Sequence, residues 1–559
     1  NSERERMIKK KFIVANYPSH TAAITELWQS DFNMKKLLNE RPPLKTIGRW
    51  ATILLIAAGL QIPLLPPLQA ATTGKKITDS AITIAVENEI LFDRGVFPND
   101  VDVSTREGIV TLSGSADNLL AKERAVKIAE SIRGVRGAID LITVTPISRP
   151  DADIRKDILA ALQEDPATES YQVAVSVLEG VATLTGTVGS YAEKQLSARI
   201  VMGVMGVKEI RNDVTINYLA KRTDPEIQAD VQARLRWDIW INAGLISAAV
   251  KDGNVTLTGM VGSAIGKSRA YDDAWVNGVV SVNDSGMIIE PWIYVNARKK
   301  LEYSIMPDSE IKRAVEAAFR LDPRVSAFSP EVTVQLGEVR LRGIVGNLKA
   351  KTSAEQDAKN IVSVWWVDNF LKVRPKERLT DAEMKNQLNA ALFWDPLLEG
   401  STIDATVING VADLSGTVSS NLQKDEAQDV ASRTKGVLLV RNYLKVEPET
   451  STTRYFGPYN PSYYWLYFER PAYSASGMLG PRPYLTDEQI KTNIQDRLYW
   501  SPFVDLDSIK VTVEDRVATL TGTVGTWIGW EEVDKDAHNG GADVVLNRVK
   551  IKKGGWRLK

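Results

Sequence analysis

The feature that most constrains this chain is a strand ending, usually Leu-Ser-Gly or Leu-Thr-Gly, that returns at near-constant spacing. It reads Thr111-Leu-Ser-Gly114, Thr183-Leu-Thr-Gly186, Thr256-Leu-Thr-Gly259, Arg340-Leu-Arg-Gly343, Asp413-Leu-Ser-Gly416 and Thr519-Leu-Thr-Gly522. Successive glycines lie 72, 73, 84, 73 and 106 residues apart. A recurring period means that the fold is one unit repeated, not one large core. The unit is about 70 residues long, with insertions before the fourth and sixth copies.

The same order of signals surrounds each anchor. Upstream, apolar residues recur at i, i+4 and i+8, the stripe of a helix with one buried face. They are Ile82/Val86/Ile90, Ile154/Ile158/Leu162, Ile227/Val231/Leu235, Ile311/Val315/Phe319, Met384/Leu388/Leu392 and Ile490/Ile494/Leu498. Thr223-Asp-Pro-Glu226, Thr380-Asp-Ala-Glu383 and Thr486-Asp-Glu-Gln489 read as capping boxes that satisfy free N–H groups at helix starts. Asp79, Asp151, Asp224, Asp308, Asp381 and Asp487 recur at these starts, where a carboxylate favours the helix dipole. Asp-Pro or Ser-Pro turns end several of the helices.

A hairpin follows, with its turn glycine six residues before the anchor at Gly108, Gly180, Gly253, Gly337 and Gly410. Asp252-Gly253 and Asn409-Gly410 are hairpin signals because these residues tolerate positive φ. The sixth copy has Arg516 there, so its turn is expected to differ. A second, alanine-rich helix then runs to a Gly-Val turn at Gly134, Gly206, Gly278 and Gly436, with Ser363 in the fourth copy. A last strand closes the unit. The order helix–strand–strand–helix–strand predicts an α+β module, a three-stranded sheet with both helices on one face. The turn and anchor glycines, including Gly114, Gly186, Gly259, Gly343, Gly416 and Gly522, are read as structural, since none lies in a phosphate-cradling motif.

This pattern resembles the BON family (bacterial OsmY and nodulation), whose modules have the αββαβ order, a hairpin glycine and a Leu-Thr-Gly-x-Val strand end. The resemblance covers about residues 78–552. It implies a periplasmic or envelope location, association with phospholipid surfaces, and a role in envelope integrity or osmotic stress. The modules are placed at 78–146, 151–219, 223–290, 308–375, 380–448 and 486–553, with an aromatic insertion at 449–485. Residues 1–33 read as an upstream extension. Residues 34–71 read as an export signal, basic and then apolar from Ala51 to Leu60, with a retained membrane anchor as the alternative.

Composition narrows the chemistry. The chain has no cysteine and two histidines, His20 and His538, with a formal net charge of −1. Thiolate chemistry and disulfides are excluded, and a nucleic-acid partner is disfavoured because no basic excess exists. The acidic residues are scattered through turns and helix starts. No catalytic residue, cofactor or metal site is therefore expected.

Partner contact is sought in what varies between copies. Two residues past each helix triplet stand Phe92, Glu164, Trp237, Leu321, Trp394 and Trp500. Large apolar groups there either cap the module core or form an aromatic rim for lipid or protein. Trp527 and Trp530 invite the same question, as do Tyr463, Tyr464 and Trp465 in the aromatic insertion. Three functions stand together: a phospholipid-associated envelope protein, a homo-oligomeric scaffold or ring, and a periplasmic chaperone or peptide binder.

Overall fold

The computed structural model describes residues 77–93, 100–169, 171–241, 243–290, 306–446 and 485–552. The first module sets the pattern. Helix α1 (Asp79–Phe92) precedes the hairpin β1 (Asp100–Arg106) and β2 (Ile109–Ala116), then α2 (Leu119–Ser131) and β3 (Gly137–Val144). Strand β2 lies in the middle, antiparallel to β1 and parallel to β3. Each later module repeats this αββαβ order and strand arrangement, with the last strand broken in the second, fourth and fifth copies. The six modules are α+β sandwiches, as the sequence order predicts.

Packing follows from the periodicities. All the triplet residues of the first helices are buried, together with the inward residues of the middle strands, such as Val110 and Leu112 or Ala182 and Leu184. Alternation along each strand sends the other set to the opposite face: Thr111, Ser113 and their equivalents point away from the helices. Small residues on the second helices, such as Ala121, Ala125 and Ala129, are fully buried and let helix and sheet approach closely.

The hairpin turns carry two consecutive positive φ values, the conformation that matches strand twist. Glu107 and Gly108 have φ of 53° and 76°, and Asp252 and Gly253 have 53° and 74°. The sixth turn does not differ: Asp515 and Arg516 adopt 50° and 63°. A backbone held from outside explains this, since the same pair of bonds grips all six turns. At the strand end, a Cβ on Gly114 would lie 1.9 Å from the Asp100 carbonyl oxygen and one on Gly186 2.0 Å from that of Gln172. Only glycine lets the paired strands approach there. Gly343 is the exception, with its nearest neighbour at 3.8 Å and its middle strand interrupted.

The modules do not hang as beads on a string; ion pairs, ring contacts and backbone hydrogen bonds join modules that are distant in sequence. The second helices of modules 1, 2 and 3 meet head to tail in a ring. Glu123 of module 1 pairs with Arg199 of module 2 at 2.9 Å. Tyr191 of module 2 stacks on Trp275 of module 3, with ring centroids 4.0 Å apart. Ser268 of module 3 donates to Glu130 of module 1 at 3.2 Å. Modules 4, 5 and 6 form a second ring in the same sense. Lys349 pairs with Asp429, Asp425 faces His538, and Glu531 of module 6 lies 3.7 Å from Lys359 of module 4.

The two rings are joined in pairs 1:6, 2:5 and 3:4. Arg133 N donates to Trp500 O at 3.0 Å, and Val362 N to Trp237 O at 2.8 Å; both donors stand one residue before the late turn position. The equivalent Lys435 pairs with Glu169 across 2:5, while Arg149, just ahead of module 2, covers the Trp394 ring at 4.2 Å. A second kind of contact links 2:4 through Arg324 and Asp165, and 3:6 through Trp240 and Phe503. Arg324, Trp240 and Phe503 each stand three residues past the first helix of their module. Contacts of both kinds thus tie the two groups of modules together within one chain.

Candidate functional site

The tryptophans that end the first helices of modules 3, 5 and 6 lie where modules meet. Trp237 packs against the core of module 4, and its indole N–H donates to Glu310 at 3.3 Å. Trp394 lies under the Arg149 guanidinium, and Trp500 packs against the joined core of modules 1 and 3. Trp527 sits 6.0 Å from Trp366 of module 4, with Lys359 Nζ 5.0 Å above its ring. Trp530 packs into its own module and donates to Val549 O at 3.1 Å. The structure thus places these indoles in contacts between modules or within module 6. Tyr463, Tyr464 and Trp465 lie outside the described residues, as does the segment 34–71.

The aspartates at the helix starts do more than face the dipole. In every copy the carboxylate reaches across to the hairpin and accepts both turn N–H groups. Asp79 takes Glu107 N at 2.7 Å and Gly108 N at 2.9 Å; Asp487 takes Asp515 N and Arg516 N, each at 2.9 Å. The same pair of bonds holds the turns of modules 2 to 5 through Asp151, Asp224, Asp308 and Asp381. A charged acceptor for two turn donors secures the left-handed conformation, even where glycine is absent.

A second set of carboxylates is buried where modules meet. The residue after each of the first five first helices is aspartate: Asp93, Asp165, Asp238, Asp322 and Asp395. Asp93 is gripped by Arg124 at 2.6 and 2.7 Å, and Asp238 by Arg269 at 2.6 Å. Asp165 instead takes both guanidinium nitrogens of Arg324 from module 4, at 3.2 and 3.1 Å. Burial, with Glu426 beside it, pushes the Asp395 carboxyl up to about 8. Burial and the neighbouring Asp238 push Asp273, on the second helix of module 3, up to about 7 despite Arg234. Asp357 and Asp536, at the equivalent second-helix position in modules 4 and 6, are buried and shifted the same way.

A cavity of about 340 Å³ opens among modules 1, 2, 3, 5 and 6, lined by Asp93, Arg124, Trp240, Arg497, Trp500 and Phe503 among others. Its charged groups are largely paired: Arg497 meets Glu89 at 2.5 Å, and Arg124 meets Asp93. Among the described residues, no group of three or more His, Cys, Asp or Glu side chains is arranged to hold a metal ion. His538 lies half-buried in the last turn of its helix, 3.8 Å from Asp534. The interface aspartates escaped the sequence reading because Asp-Pro looked like a turn signal alone. Their signal was that the aspartate persists at Asp93 and Asp238, where the proline does not.

Comparison with known proteins agrees with the repeat. The BON domain model matches six times, at residues 78–146, 150–218, 223–291, 307–375, 380–448 and 486–553. Osmotically-inducible protein Y of Escherichia coli (strain K12) is 32% identical over 148 residues, which are 25% of this chain and 74% of that protein. Among solved structures, CdsD, a structural protein of the type III secretion system of Chlamydia trachomatis, aligns at 14% identity and a TM-score of 0.11. That alignment covers 40% of this chain and 98% of CdsD. With six matched domains over most of its length, the chain belongs to the BON domain family.

Proposed function

We propose that this chain is a non-enzymatic protein of the cell envelope that contacts phospholipid surfaces, serving envelope integrity under osmotic stress. One observation carries the reading: the helices and most candidate tryptophans are engaged between modules, so the outward sheet faces are the surface presented to a partner. Six such faces on one closed body give several weak contacts on a single chain, and these multiply into avidity. The similarity to an osmotically inducible protein supports the stress role. Co-sedimentation of the full chain with vesicles containing phosphatidylglycerol is expected at low salt and to weaken at high salt. No co-sedimentation at low salt would reject the lipid reading.

A second reading, a structural scaffold, is favoured by the two kinds of module–module contact. Those contacts close within one chain, so further assembly would need another surface. Light scattering of the native chain separates the two: a monomeric mass counts against a scaffold, and a defined higher assembly supports it.

A further inference from the structure

The shared strand register makes the six outward faces directly comparable, and module 6 stands apart. In the sheet formed by Ile509–Glu514, Val517–Val524 and Val544–Ile551, Lys510 pairs with Thr521, which pairs in turn with Arg548; Lys550 pairs with Thr523. Alternation puts all three cations on the face opposite the core, and all three are exposed. In register with Lys510, the other modules carry Asp102, Ala174, Ser247, Glu331 and Asp404. Three of those five are acids, so only in module 6 does the position turn basic.

The cations are also unneutralised. Among the described residues, no carboxylate lies within ion-pair distance of Lys510, Arg548 or Lys550. On the module 4 face, by contrast, Arg340 meets Glu338 at 2.6 Å and Asp368 at 3.3 Å. On module 5, Arg441 faces Asp413 at 3.8 Å. Beside the module 6 cluster, on the same face and strand, Val544 and Leu546 are 48% and 40% exposed. Cations next to exposed aliphatic side chains, over a bed of threonine hydroxyls, match a surface with anionic headgroups and accessible acyl chains.

We propose that the outward sheet face of module 6 is where the chain docks on an anionic phospholipid surface, through Lys510, Arg548 and Lys550 with Val544 and Leu546. This rests on the phospholipid reading above and names the face that carries it. Module 4 presents exposed Arg342 and Lys372 on its outward face as well, but there Glu331 stands opposite Arg342 at the position that Lys510 holds in module 6.

The test compares three full-length proteins on vesicles of phosphatidylglycerol and phosphatidylcholine at low salt. The wild type binds. The triple variant Lys510→Glu/Arg548→Glu/Lys550→Glu loses roughly tenfold or more in apparent affinity. The matched control Arg106→Glu/Lys208→Glu/Lys251→Glu makes the same change in net charge on modules 1, 2 and 3, and keeps binding. Thermal melts verify that both variants fold, and a single Arg548→Glu variant, with a smaller loss, serves if the triple does not. Equal binding by wild type and the module 6 variant would overturn this proposal and leave the lipid reading standing. Equal losses in variant and control would also overturn it, pointing to net charge alone. No binding by the wild type would remove both.

Discussion

Asp151 ties together two elements that sequence places apart. Its two oxygens accept from Glu179 N and Gly180 N at 2.8 and 2.9 Å, so one side chain fixes both the helix start and the turn geometry. Asp151→Ala would leave both turn donors without their charged acceptor, at a cost of about 1–3 kcal/mol. Urea unfolding should show that loss, and faster proteolysis at the hairpin should accompany it. An unchanged midpoint would mean that the turn holds itself. At this scale the sequence was half legible. The recurring aspartates and glycines were visible, and so was the helix-start position. The second role was not, because it depends on a contact across 28 residues that local propensity does not register.

At the scale of elements, the helices and strands were readable because their periods are local: one stripe per helix, alternation per strand, glycine at each reversal. The partners of those elements were not. The alanines that face the sheet within a module look the same whether or not a helix from another module lies behind them. Trp237 carries the clearest consequence. Its indole packs on the core of module 4, and its carbonyl accepts from Val362 N. Trp237→Ala is expected to destabilise the chain by about 2–4 kcal/mol, read by thermal or urea unfolding, while leaving vesicle binding within about twofold of wild type. A variant that keeps its stability and loses lipid binding would return Trp237 to the role of a membrane contact. The aspartates buried beside these contacts are not legible as interface residues, because their position in the sequence marks a turn as readily as an interface.

At the scale of the whole molecule, acids buried between modules make stability depend on pH. Burial raises Asp273 to about 7 and Asp395 to about 8, and moves Asp357 and Asp536 in the same direction. A carboxyl with a higher pKa in the folded than in the unfolded chain holds its proton more tightly when folded. Its contribution is therefore full below the ordinary carboxylate range and is lost as pH rises through the folded value. The thermal midpoint should fall as pH is raised from about 5 to about 8, and Asp395→Asn should flatten part of that slope. A midpoint rising across the window would mean that these acids are ionised and well paired in the folded body. The six copies could be counted from sequence; their packing into two rings held face to face by contacts could not. Its defining contacts join residues as distant as Glu89 and Arg497, 408 positions apart.

That closure is the central claim, and the absence of natural cysteine makes it directly testable. Cysteines placed at Glu89 and Arg497, in modules 1 and 6, give a chain with no other thiol, to be treated when dilute with a short bifunctional thiol reagent. The closed arrangement predicts rapid cross-linking within single chains, seen as a looped monomer of altered gel mobility. A chain that stays unlinked, or that links only between molecules, would contradict the ring-on-ring body and restore six modules on a string.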